Sequence, residues 1–157
     1  MTFSLTAGLN WKGFDFSVLL QGATRSSIYL QGDIAWDNSW GNYYEEHIGR
    51  WTPETAATAT YPRFTKAATA THPNYYKSDY WLKDSKYLRL KNIQLGYTIP
   101  RKLLKKIGIR SLRVYTNAYN LLTWDNVKKV DPESPNNSNG QFYPQQKVIN
   151  FGINLNF

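Results

Sequence analysis

From Ile149 onward, apolar and polar residues alternate without a break. Ile149, Phe151, Ile153, Leu155 and Phe157 interleave with Asn150, Gly152, Asn154 and Asn156. A strand sends successive side chains to opposite faces, so a period of two over this length specifies a strand with one apolar and one polar face. Residues 2–11 repeat the pattern, with Phe3, Leu5, Ala7, Leu9 and Trp11 on one face and Thr2, Ser4, Thr6, Gly8 and Asn10 on the other. A run of about ten residues is also what a tilted strand needs to cross a bilayer.

Three more strands are predicted between these two. After a tight turn at Lys12-Gly13, a strand over 14–30 carries Phe14, Phe16, Val18 and Leu20 on one side, completing a hairpin. A strand over 86–98 alternates Ile93, Leu95 and Tyr97 with Asn92, Gln94, Gly96 and Thr98. Leu88 and Leu90 fall out of phase there, which reads as a strand end beyond the membrane, packed on protein. A strand over 111–122 sets Leu112, Val114, Thr116 and Ala118 against Arg113, Tyr115, Asn117 and Tyr119. The last strand covers 146–157. Residues 99–110 predict a short basic helical turn: Pro100 opens it, Leu103, Leu104 and Ile107 form an apolar stripe, and Gly108 stops it.

The connections decide between architectures. A soluble sandwich and a membrane barrel both alternate, but only the barrel pairs long outer loops with short inner turns. Here the connections alternate in length, with long loops at 31–85 and 123–145 and short turns at 12–13 and 99–110. The expected fold is therefore all-β, an antiparallel transmembrane β-barrel segment of about five strands with long extracellular loops. Trp11, Tyr97 and Phe157 then share the inner interface. Bacterial single-chain barrels close with even strand numbers, so an odd set implies further strands elsewhere. No signal peptide opens the sequence, so an exported protein would carry its amino-terminal part elsewhere.

Composition agrees. Aromatic residues make up 16% of the 157 residues, with 12 Tyr and 6 Trp, yet charged residues are only 19%, below the roughly 25% of soluble chains. No run of about 18 apolar residues suits a spanning helix. The absence of cysteine excludes a disulfide scaffold and the common zinc-finger spacings. His47 and His72 read as surface residues, with no metal-ligand spacing. A net charge of +8 raises nucleic acid as a partner. The basic residues are scattered, however, and the one dense run, Arg101-Lys102 with Lys105-Lys106, reads as a solvated turn rather than a phosphate-binding patch. No nucleic-acid-binding motif accompanies it, and no nucleic-acid partner is expected.

Several phrases carry a family resemblance. Tyr87-Leu88-Arg89-Leu90-Lys91-Asn92-Ile93-Gln94-Leu95-Gly96-Tyr97-Thr98-Ile99-Pro100 resembles a signature of the SusC/RagA-type TonB-dependent outer-membrane importers. Ser111-Leu112-Arg113-Val114-Tyr115, Asn120-Leu121, Asp131-Pro132-Glu133, Tyr143-Pro144 and Phe151-Gly152-Ile153-Asn154-Leu155-Asn156-Phe157 follow in the family's order. Lys12-Gly13-Phe14-Asp15, Arg50-Trp51-Thr52-Pro53-Glu54 and Tyr61-Pro62-Arg63 match upstream. The resemblance implies the carboxy-terminal part of a barrel of 22 strands in that family. The implied partners are the rest of the barrel and its plug, a SusD-like surface lipoprotein, TonB through the absent amino-terminal part, and outer-membrane lipid. It also implies a Gram-negative outer-membrane location and an oligosaccharide or peptide substrate. Phe157, Leu155 and Ile153 would form the terminal signal read by the barrel-assembly machinery.

No catalytic constellation is present, and no enzyme, cofactor or metal is expected. Asp33, Asp37, Glu45 and Glu46 lie in polar loops without a positioned base, and Asp131 and Glu133 read as turn formers before calcium ligands. Ligand binding falls instead on Trp36, Trp40, Tyr43 and Tyr44, whose rings can stack on sugar faces. The competing reading has them pack the loop or a partner. A soluble β-sandwich carbohydrate-binding module is the alternative function.

Overall fold

The computed structural model describes residues 1–37, 43–66, 72–127, 129–134 and 142–157. It divides into two compact units, one of residues 1–26, 85–126 and 145–157, the other of residues 27–84 and 127–144.

The first unit is one antiparallel sheet of five strands in the order β1 (Thr2–Trp11), β2 (Phe14–Ala23), β5 (Tyr87–Thr98), β6 (Ser111–Asp125) and β7 (Val148–Asn156). Each long strand pairs with the long strand before it. The β1–β2 register runs from Thr2↔Ala23 to Trp11↔Phe14. Lys12 and Gly13 close this hairpin with φ of 47° and 91°. Two positive φ values in a two-residue turn give the twist that matches the strands. The Gly13 carbonyl accepts a hydrogen bond from the Thr98 amide at 2.8 Å, tying the turn to the end of β5.

Two boundaries differ from expectation by three residues or more. The strand predicted over 14–30 stops at Ala23, and the chain restarts as β3 (Ser27–Tyr29) in a separate pairing. The strand predicted to end at 122 continues to Asp125.

The phase break at Leu88 and Leu90, near the start of β5, is a bulge. Leu19 and Leu20 are consecutive on β2 but pair with Asn92 and Leu90, leaving Lys91 extra. Across the sheet, Lys91 faces two residues of β6, and Asn120 there adopts a φ of 51°. One inserted residue inverts the alternation beyond it. Leu88 and Leu90 thus return to the face that holds Ile93 and Leu95, and Leu122 and Trp124 join them through the pairs Leu90↔Leu122 and Leu88↔Trp124.

Between β5 and β6, a single α-helical turn (α1, Arg101–Leu104) runs into a 3-10 turn at Lys105–Ile107. Gly108, at φ 73°, ends it as a left-handed cap. Leu104 is buried as the stripe predicts, whereas Leu103 is 68% exposed.

The second unit is built largely from the two long connections. Within it, β3 pairs with β4 (Leu82–Asp84), and Ile28, Leu30, Ala35, Tyr61, Tyr75, Trp81 and Val127 form a buried cluster. The two long connections therefore share one core, since Val127 follows β6 whereas the others precede β5. Periodicity could not reveal it, because the core is built from 3-10 turns and isolated aromatic residues rather than from a repeating face.

Candidate functional site

Directly opposed residues of an antiparallel sheet share a face. On that basis the first unit has one apolar face running across all five strands. At one level it carries Leu9, Phe16, Leu95, Thr116 and Phe151; at another, Ala7, Val18, Ile93, Ala118 and Ile149. Among the described residues this face holds no charged side chain, and Thr116 Oγ within it donates to the Asn150 carbonyl at 3.0 Å. The side chains are uncovered: Leu5 is 62% exposed, Ile153 70% and Phe151 83%. A soluble monomer seldom exposes an apolar surface of this extent.

Aromatic residues mark both ends of the face. At the hairpin end, Trp11 pairs with Phe14 and Phe14 with Tyr97, whose rings lie 4.5 Å apart. Phe157 follows the Ser111↔Asn156 pair at the same end. At the other end, Phe3 sits beside Gly22, which pairs with Leu88, which pairs with Trp124. Trp11 and Phe3 stand eight residues apart on β1, roughly 27 Å along the strand. At the usual barrel tilt this gives an apolar band on the order of 20 Å tall between two aromatic girdles. The second girdle escapes a sequence reading because the bulges hide Leu88 and Trp124 from the period.

The opposite face is polar and internally ordered. Arg113 Nε donates to Asp15 Oδ1 at 2.9 Å across β5. The pair passes over Gly96, where a Cβ would meet both charged groups at about 2.5 Å. Tyr115 likewise lies over Gly152, whose missing side chain leaves room for the ring. An aromatic ring covering a cross-strand glycine shields backbone that would otherwise be exposed. The side-chain oxygens of Asn92 and Asn117, also on this face, are buried without a hydrogen-bond partner among the described residues.

In the second unit, the predicted ligand residues do not form one group. Trp36 stacks on Tyr75 with ring centroids 4.8 Å apart and packs on the core. Tyr43 and Tyr44 instead meet the edge of His47, at 6.0 and 5.6 Å. Tyr43 is 56% exposed and Tyr44 is also exposed. Lys129 lies 5.3 Å above the Tyr44 ring and pairs with Glu46. Trp40 falls outside the described residues.

His47 and Asp37 correct the sequence reading. His47 is not a surface residue: it is 2% exposed, walled by Tyr43, Tyr44, Tyr61 and Phe64. Its Nδ1 accepts the Tyr44 amide at 3.1 Å. Burial holds its pKa below the ordinary value. Asp37, 1% exposed, accepts hydrogen bonds from Tyr75 Oη and from the Thr65 amide, the latter at 2.9 Å. Burial, and then the Asp37 charge, push the Tyr61 hydroxyl far above the usual phenol range. Tyr61 Oη meanwhile donates to the Ala35 carbonyl at 2.7 Å. These groups form a buried polar cluster among the described residues. His72 caps a 3-10 turn, with Nδ1 accepting the Asn74 amide at 3.2 Å. Asp131 Oδ1 accepts the Glu133 amide at 2.9 Å, the role of a turn former.

No family model matches the chain. Among characterised proteins, the chain aligns over 100% of its length with TonB-dependent receptor P26 of Formosa agariphila, at 29% identity over 17% of that protein. It aligns over 98% of its length with TonB-dependent receptor SusC of Bacteroides thetaiotaomicron, at 25% identity over 15% of that protein. In structure, it superposes on a chain of the RagAB peptide transporter with a TM-score of 0.72 and 25% identity, covering 98% of this chain and 16% of that one. The open-open state of the RagAB peptide importer gives a TM-score of 0.73 at 24% identity. The chain spans about one sixth of the length of the relatives it matches. These relatives bear the names of receptors and importers, not of enzymes.

Proposed function

Starting from a chain that is a segment similar over its whole length to TonB-dependent receptors of the SusC and RagA type, we propose that it forms part of the wall of an outer-membrane importer. The parent takes up an oligosaccharide or peptide, draws energy through TonB and works with a SusD-like surface lipoprotein. The observation that carries this reading is the uncharged, exposed face bounded by two aromatic girdles. Lipid satisfies such a face; water does not. A soluble carbohydrate-binding sandwich needs a second sheet over it, and the first unit contains only one sheet.

The polar face then lines the lumen. The exposed edges of β1 and β7 continue the barrel through other strands, with Ile153, Leu155 and Phe157 presenting the assembly signal. Of the loop aromatics singled out from the sequence, Tyr43 and Tyr44 are exposed to a ligand or to the lipoprotein, whereas Trp36 packs partly buried against the loop core.

Fractionation tests the proposal. The intact parent, expressed in a Gram-negative host, should appear in the outer membrane as a species whose gel mobility changes on heating. A parent recovered as a soluble monomer in the periplasm would contradict it.

A further inference from the structure

The sheet is asymmetric in charge from end to end. The Lys12–Gly13 turn joins β1 to β2, and Gly13 is bonded to Thr98. The Ile99 amide reaches the Leu112 carbonyl at 2.9 Å, and the Arg110 amide reaches the Asn156 carbonyl at 2.8 Å. Those bonds gather Lys12, the α1 segment and Arg110 at one end of the sheet. This end carries Lys12, Arg101, Lys102, Lys105, Lys106 and Arg110, all exposed. None of the six has a carboxylate partner among the described residues. The nearest side-chain carboxylate, Asp15, is occupied by Arg113. The sequence showed only the run in α1; the fold adds a cation from each flanking connection.

The same end carries Trp11, Phe14, Tyr97 and Phe157. Lys12 Nζ lies 4.9 Å from the Trp11 ring. Among the α1 cations, Leu103 is an exposed apolar side chain. A solvated turn requires none of this. Unpaired cations beside an aromatic girdle, with an apolar residue among them, match the chemistry of a lipid headgroup region, where phosphates lie just beyond the acyl chains.

We propose that this basic end binds the phosphates of anionic phospholipids in the leaflet it meets. The inference rests on the membrane reading of the sheet and adds a headgroup preference that the reading does not contain. The apolar face fixes the depth of the barrel in the bilayer; the cations select the lipid at its rim. Glutamine removes the charge while keeping a polar side chain only one bond shorter than lysine, so it tests mainly the charge.

The intact parent would be solubilised with equal parts of phosphatidylglycerol and phosphatidylcholine, and the ratio of co-purified lipids measured. The wild-type receptor should retain phosphatidylglycerol in excess. The combined K102Q, K105Q and K106Q variant should lower that preference roughly tenfold or more, because each cation near an anionic surface contributes. Lysine-to-arginine changes at the same positions should preserve the preference. Gel mobility after heating would confirm in each case that the barrel has folded. A heat-modifiable wild type that retains both lipids equally would overturn this inference while leaving the importer reading intact, as would a glutamine variant with unchanged preference. A wild type that never becomes heat-modifiable would refute the barrel itself.

Discussion

Ile153→Arg in the intact parent places a guanidinium on the apolar face. β7 spans Val148–Asn156, so Ile153 lies one residue past its midpoint and opposite Val114. That is about 3 Å along the strand from its own centre. At the bilayer midplane an arginine costs roughly 2–4 kcal/mol on a barrel's lipid face, equivalent to about 30-fold to 1,000-fold in the folding equilibrium. Leu155→Arg, two residues nearer the girdle, should cost less. Asn154→Ser, on the polar face opposite Arg113, should change stability by no more than about 0.5 kcal/mol. Urea unfolding of the receptor in lipid vesicles measures all three, with the heat-modifiable fraction as a check on insertion. Equal tolerance of Ile153→Arg and Asn154→Ser would refute the assignment of faces.

The remaining predictions concern particular contacts. Tyr115→Ala removes the ring over Gly152 and should destabilise the sheet by about 1 kcal/mol, read from the same urea midpoints. Asp37→Ala leaves the Tyr75 hydroxyl and Thr65 amide without their acceptor. At roughly 1–3 kcal/mol for each stranded donor, hydrogen-exchange protection across 59–66 and 72–82 should fall at least tenfold while the sheet keeps its own. His47 is more easily protonated when unfolded, because burial lowers its folded pKa from the ordinary 6.5. Its contribution is complete above that value and is lost as pH falls below it, so amides near Tyr44 should exchange faster at about pH 5 than at about pH 7.5 after correction for intrinsic rates. The H47Q variant should show a weaker pH dependence; an unchanged one would exclude His47. Combined Tyr43→Ala and Tyr44→Ala should reduce uptake or lipoprotein capture without changing gel mobility, since both rings are exposed; unaltered transport and capture would remove them as contacts.

The sheet was legible in the sequence because its determinant is periodic. Residues 2–11 form β1 as expected, and the alternation at 149–156 maps onto one apolar and one polar face of β7. A strict period fails at one inserted residue, which is why Lys91 and Asn120 hid the true length of the apolar face. The loop unit was illegible for another reason. Asp37 and Tyr75 are 38 residues apart, and His47 is buried by rings from four positions without a common spacing. Such contacts are set by how 3-10 turns fold back, not by any pattern along the chain. Trp36 likewise stacks on Tyr75 and packs partly buried against the loop core, a contact that its residue type alone did not reveal.

The claim at the centre is that the face bearing Ile149, Phe151, Ile153 and Leu155 meets lipid. This chain contributes no cysteine, so single cysteines introduced at each position of 149–156, in a parent whose other cysteines are replaced, can carry a spin label. In the parent reconstituted into vesicles, labels at odd positions should relax with oxygen, which concentrates in the bilayer. Labels at even positions should relax with a water-soluble nickel complex. That alternation across β7 is the predicted result. A uniform response, or odd positions reached mainly by the nickel complex, would contradict it.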